Sequence, residues 1–196
     1  FTGQHYDHNM GMSFIDQLGL NKPNYSMKIS KTKPELQISE IIKKLSKIFA
    51  IEKPENVIVQ GDTNTVLAAG IASLKCNISI SHVESGLRSN DWRMPEEHNR
   101  IIVDHISELL FAPTLISKNN LVSEKVHGKI FVTGNTVIDA INQFAKISKR
   151  YSTLSIDLKD YVLMTLHRSE NVDKKQILSS IIKGILDSNQ KFIFPI

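Results

Sequence analysis

Asn56-Val57-Ile58-Val59-Gln60, then Gly61-Asp62-Thr63-Asn64-Thr65, then an Ala/Leu-rich segment to Lys75, then Ile78-Ser79-Ile80-Ser81-His82-Val83: this stretch decides the fold. The first and last runs are short, apolar and β-branched, which fits buried strands. The segment between them opens on Thr-Asn-Thr, a set of helix-cap residues, and predicts a helix over Thr63–Lys75. A strand, a helix and a second strand in this order imply a parallel pair joined by a helical crossover, and so a sheet with helices on both faces.

The same rhythm extends outward. Leu109–Ala112, Lys129–Val132, Tyr161–Thr165 and Lys191–Phe194 read as further strands. Upstream, Thr32-Lys33-Pro34-Glu35 has capping-box spacing, and Ile38, Ile41, Ile42, Leu45, Ile48 and Phe49 follow at helical intervals. Pro95 predicts a helix from Glu96 to about Leu110. Ser117 is placed to cap a helix over Asn120–Val126. Ile138, Ile141 and Phe144 stripe the next helix, and Ile177, Ile181, Ile182 and Ile185 the last. The polar segment Lys146–Asp160 interrupts the rhythm. It predicts a boundary between a first domain, 1–155, and a second, 156–196.

Composition narrows the class. Of 196 residues, 41% are apolar and 22% charged, with 9 Gly and 6 Pro, which excludes a disordered or collagen-like chain. The single cysteine, Cys76, excludes an internal disulfide or a multi-cysteine metal site and fits a reducing compartment. The net charge of +4, from 24 basic and 20 acidic residues, is scattered, unlike a nucleic-acid footprint. No run approaches the ~18 apolar residues of a membrane span, and no signal peptide is visible. The chain opens at Phe1 without methionine and stops within an expected strand, so it reads as a piece of a longer protein.

In open α/β sheets, ligands bind beyond the carboxyl ends of the strands. Polar clusters fall there repeatedly: Gly61–Thr65, Glu84-Ser85-Gly86-Leu87-Arg88, Thr133-Gly134-Asn135-Thr136, and Leu166-His167-Arg168-Ser169-Glu170-Asn171. Each has a plain structural reading. Asp62 could cap a helix, Glu84 could pair with Arg88, and Pro95-Glu96-Glu97 could be a helix start that favours acids. Capping does not require that they share an edge, however. Asp62, Glu84 and Glu96 in one cleft would raise one another's pKa and so suit proton transfer. His167, Arg168, Arg88 and Arg100 are suited to a diphosphate. His82, Glu84, Glu96 and His98 do not have the spacing of a metal site such as HExxH, and no metal is expected. GxGxxG and GxxxxGK[ST] motifs are absent.

Taken together, Gly61-Asp62-Thr63-Asn64-Thr65, His82-Val83-Glu84-Ser85-Gly86-Leu87-Arg88, Pro95-Glu96-Glu97-His98-Asn99-Arg100, Thr133–Ala140 and Thr165–Asn171 resemble the non-hydrolysing UDP-N-acetylglucosamine 2-epimerases. Thr2-Gly3-Gln4-His5 matches that family's opening region. The resemblance implies a glycosyltransferase-B-like fold of two Rossmann-like domains with parallel sheets, the second truncated here, and an active site between them. It implies interconversion of UDP-GlcNAc and UDP-ManNAc without a cofactor, by elimination and re-addition of UDP. Such an enzyme would be a cytoplasmic homodimer serving polysaccharide precursor synthesis, with no nucleic-acid or membrane partner.

The family's catalytic carboxylates fall on Asp62, Glu84 and Glu96, and its active-site histidine on His167. The assignment favoured here gives proton transfer to Asp62 and Glu96 and substrate orientation to Glu84. Asp62, Glu84, Arg88, Arg100, Asn135, His167, Arg168 and Glu170 are the expected substrate-binding residues. Gln4 and His5 match an allosteric substrate site of bacterial members, with Asp7 where those members often have Gln. The family's Gly-Thr-Arg-Pro-Glu loop is absent, as is much of its second domain, so residues 1–196 alone are expected to be inactive. The alternatives are a hydrolysing relative, which lacks the Pro95–Arg100 pattern, and a sugar-nucleotide transferase or binding module on the same fold.

Overall fold

The computed structural model describes residues 1–2, 15, 18–30, 33–151, 160–166 and 168–194. The chain divides into two compact units, Phe1–Lys149 and Arg150–Ile196. The boundary expected at 155/156 lies outside the described residues.

The first unit runs α1 (Pro34–Glu52), β1 (Asn56–Gln60), α2 (Asn64–Lys75), β2 (Ser79–Val83), α3 (Pro95–Ile106), β3 (Leu109–Ala112), α4 (Leu115–Ser123), β4 (Lys129–Val132) and all but the last two residues of α5 (Thr136–Tyr151). Its four strands form one parallel sheet in chain order. The register aligns the carboxyl ends. Gln60 lies beside Val83, Val83 beside Phe111, and Ala112 beside Val132. The loops therefore leave side by side, fastened by backbone bonds from Gly61 N to Val83 O (3.1 Å), Ser85 N to Phe111 O (3.2 Å) and Thr133 N to Ala112 O (3.0 Å).

Packing follows the apolar pattern. Val59, Val66, Leu67, Ala69, Ile80 and Val103 form one buried cluster, which knits β1 and β2 to α2 and α3. Ile41 and Ala68 join α1 to α2 beneath Met27 and Ile29. Leu110, Ala112 and Leu121 hold α4 on β3.

Thr63 caps α2 as expected, its hydroxyl accepting from Val66 N at 3.4 Å. Three helices of this unit differ from expectation at an end or more. Helix α3 stops at Ile106, because Leu109 pairs with both Ser81 and Lys129 and is already strand. Helix α4 begins at Leu115, capped by Thr114, whose hydroxyl accepts from Ser117 N at 3.1 Å. Ser117 is itself buried inside the helix. Helix α5 continues to Tyr151 through residues whose polarity suggested a break.

The second unit contains β5 (Val162–Leu163), a short turn of helix α6 (Ser169–Val172), α7 (Lys175–Asp187) and β6 (Phe192–Ile193). Its two strands pair in parallel.

Candidate active site

The first strand end builds the centre of the site. Because Thr63 is the cap of α2, the carboxylate of Asp62 is left for other partners. Arg100, one α-helical turn into α3, meets it at 2.8 Å. Asn99, the preceding residue, donates from its amide to the Asp62 carbonyl at 2.8 Å and so fixes the loop's backbone. The Asp62 carboxyl is held above the usual carboxylate range. Burial is the main cause, Arg100 opposes it, and the negative charges of Glu96 and Glu84 add to it. Glu84 and Glu96 are thus close enough to Asp62 to influence its proton.

Glu84 follows β2 with a left-handed backbone, φ 69°. A non-glycine residue there is sparsely populated and costs of order 1–3 kcal/mol, a cost often found at functional sites. Gln60 donates from its amide to Glu84 Oε1 at 3.3 Å and to the Thr136 hydroxyl at 3.1 Å, which ties the start of α5 to the same edge. A Cβ on Gly61 would lie 3.7 Å from Glu84 Oε2, so the first two loops sit in contact.

Adjacent acids in α3 behave oppositely. Glu96 is exposed at the helix start. Glu97 is 2% exposed and accepts from Ser89 N (2.9 Å), the Ser89 hydroxyl (2.9 Å) and Asn90 N (3.0 Å). Burial pushes the Glu97 carboxyl up, but these donors and Arg100 outweigh it and hold it below the usual range. Glu97 is the fastener of the loop between β2 and α3, a role the sequence does not separate from that of Glu96.

The expected substrate-binding groups divide. Arg88 turns inward, its side chain 5% exposed. It grips Glu124 through two bonds of 2.7 and 2.6 Å and meets Asp104 at 2.8 Å. The groups that engage Arg88, expected to bind substrate, are thus the carboxylates beneath it. Arg100 also points at protein, pairing with Asp62 and, at 3.5 Å, with Glu97. Asn135 accepts from Val137 N at 3.0 Å at the start of α5. In the second unit, Arg168 and Glu170 are exposed, 3.9 Å apart. Gln4, His5 and His167 lie outside the described residues.

Sequence reading did not single out Asn99, Glu97, Gln60 or Asp104, and it weighed His82 only as a metal ligand. Both His82 nitrogens are engaged, by Asp104 and by Gly61 O. Among the described residues, no group of three His, Cys, Asp or Glu side chains could hold a metal ion. Polar residues at otherwise apolar positions of β2 and α3 were the available signal for His82 and Asp104.

A parallel α/β sheet with polar loops gathered past its aligned strand ends defines a protein of the Rossmann-like α/β class. Comparison with known proteins makes this specific. The profile of the UDP-N-acetylglucosamine 2-epimerase family matches residues 1–196, and the chain belongs to that family. The UDP-N-acetylglucosamine 2-epimerase of Methanocaldococcus jannaschii is 46% identical over 194 residues, 95% of this chain and 53% of its own. A Methanococcus maripaludis UDP-N-acetylglucosamine 2-epimerase homolog is 42% identical over 200 residues, 100% of this chain and 56% of its own. The crystal structure of the M. jannaschii UDP-GlcNAc 2-epimerase in complex with UDP-GlcNAc and UDP superposes with a TM-score of 0.86 at 43% identity, over 97% of this chain and 55% of that one. The chain spans about half the length of the curated relatives it matches.

Proposed function

We propose that the full-length protein is a non-hydrolysing UDP-GlcNAc 2-epimerase. The observation that carries this reading is the shared electrostatic environment of Asp62, Glu84 and Glu96, with the Asp62 carboxyl raised by burial and by the other two. One carboxylate removes the C2 proton. The C2–H electrons form a C1–C2 double bond while the C1–O bond breaks, and its electrons leave on the diphosphate. UDP and 2-acetamidoglucal remain. UDP oxygen then re-bonds to C1 as a second carboxyl delivers a proton to the opposite face of C2, giving UDP-ManNAc.

The C2 proton is not acidic, so a placed base and a stabilised leaving group have to act together. Asp62 and Glu96 are assigned the proton transfers and Glu84 the orientation of substrate. His167 and Arg168 are assigned to the diphosphate. With this reading go a cofactor-free enzyme, a cytoplasmic setting, a homodimer and a role in polysaccharide precursors, each taken from the family resemblance.

Product analysis on the full-length protein with UDP-GlcNAc tests the proposal. UDP-ManNAc at equilibrium with substrate is expected. Free ManNAc with stoichiometric UDP would replace it by hydrolysis, and unchanged UDP-GlcNAc would leave only binding.

A further inference from the structure

Beneath the carboxylate loops runs a buried polar chain that the proposed chemistry does not use. His82 on β2 and Asp104 on α3 are each 0% exposed, with Nδ1 of the imidazole 2.7 Å from Asp104 Oδ1. The other ring nitrogen, Nε2, lies 2.8 Å from the carbonyl oxygen of Gly61. The second oxygen of Asp104 accepts from Gly86 N at 3.1 Å and meets Arg88 at 2.8 Å. Arg88 in turn grips Glu124.

The partners dictate the donors. A carbonyl oxygen only accepts, so Nε2 carries a hydrogen toward Gly61. Asp104 accepts from a backbone N–H and is paired with a guanidinium, so its other oxygen accepts as well, and Nδ1 carries a hydrogen toward it. A charged run of this kind is tolerated in a protein interior only when every member is paired, and once complete it rigidifies what it touches.

What it touches is specific. Gly61 immediately precedes Asp62, and Gly86 follows Glu84 by two residues. A histidine that merely filled the core would not need to bond the Gly61 carbonyl on one side and, on the other, the aspartate that holds Gly86 N. We infer that His82, donating from both ring nitrogens, forms with Asp104 a buried clamp that fixes the Asp62 and Glu84 loops relative to each other. His82 is then a positioning residue for proton transfer at the substrate. The inference rests on the epimerase reading for what those carboxylates do.

Two variants of the full-length protein test it. His82→Asn keeps an N–H where Nδ1 stands, toward Asp104, and loses the reach to Gly61. His82→Gln keeps an N–H near the position of Nε2, toward Gly61. Displacing a reacting group by about 1 Å can cost ~10²-fold. His82→Asn is expected to lose kcat by about that factor with KM for UDP-GlcNAc little changed, and His82→Gln to recover a substantial part. Wild-type kcat in His82→Asn, or equal losses in both variants that track their melting temperatures, would overturn the clamp.

NMR of the wild-type protein labelled with ¹⁵N-histidine supplies a measurement that needs no variant to fold. Both His82 ring nitrogens should show slowly exchanging N–H signals, and a bare nitrogen on His82 would overturn the assignment. A wild-type protein that fails to epimerise UDP-GlcNAc would sink the functional reading, while these signals still decide whether the clamp exists.

Discussion

At the scale of residues, the site depends on side chains that look alike in sequence and differ in surroundings. Asp62→Asn and Glu96→Gln preserve shape and remove the capacity to hold or release a proton. General acid–base groups contribute ~10²–10⁴-fold, so each variant of the full-length protein should lose kcat on that scale with little change in KM. Wild-type kcat in either would reduce that residue to an ion-pair or helix-start role. Glu97→Gln should behave differently, because Glu97 fastens a loop. Its carboxyl is held low in the fold, so its contribution is fully present above the ordinary glutamate value of ~4.3 and is lost as pH falls through the lowered folded value. Leaving its buried donors poorly paired costs ~1–3 kcal/mol. Thermal melts should therefore show Glu97→Gln less stable than wild type at neutral pH, with the two converging in acid. A difference independent of pH would contradict the assignment. The sequence presents Pro95-Glu96-Glu97 as two equivalent acids. Only the fold separates them, since one side of α3 faces the Ser89–Asn90 loop and the other faces outward. Arg88 illustrates the converse. Its position after Glu84 suggested a ligand contact, and nothing local reveals that Glu124, 36 residues later, takes its guanidinium.

At the scale of elements, much was readable because periodicity and turn chemistry agree. The Val57–Gln60 and Ile80–Val83 runs are strands, and Thr63 caps the helix between them, as the local pattern requires. The ends that shifted are those where two local signals compete. Thr114 and Ser117 are both good caps, and Thr114 prevails because Ala112 must stay in the sheet beside Val132. The polarity of Lys146–Tyr151 suggested a break, yet an exposed last turn of helix needs no apolar residues. Close approach of elements is invisible to pattern and decides one further outcome. Gly86 has φ 78°, and a Cβ there would lie 2.3 Å from the carbonyl oxygen of Ser117 in α4. Gly134 has φ 86° with nothing within 4 Å. Both alanine variants incur the left-handed penalty of ~1–2 kcal/mol. Only Gly86→Ala must also push α4 away from the Glu84 loop. Denaturant titration should show Gly86→Ala well below Gly134→Ala in stability, and equal losses would refute the close packing of that loop on α4.

At the scale of the whole molecule, the parallel sheet with its aligned strand ends gathers distant residues into one chemical unit. Asp62 and Glu96, with Glu84 between them, are only 34 positions apart, yet the three reach one edge through three separate elements. The ordered motifs made the fold class legible, because their spacing is set by strand and helix lengths. The clamp under the edge was not legible, because polar residues on β2 and α3 mark His82 and Asp104 singly but nothing local pairs a histidine with an aspartate 22 residues away. The central claim is that the gathered carboxylates exchange a proton at C2 while UDP departs and returns. A direct C2 deprotonation lacks an adjacent ketone, and a route through a ketone at C4 would need a nicotinamide. The decisive measurement is turnover of UDP-GlcNAc by the full-length protein in D₂O, with the product read by NMR and mass spectrometry. The account predicts one solvent deuterium at C2 of UDP-ManNAc, with no added NAD. Epimerised product bearing no deuterium at C2, or turnover strictly dependent on NAD, would contradict it.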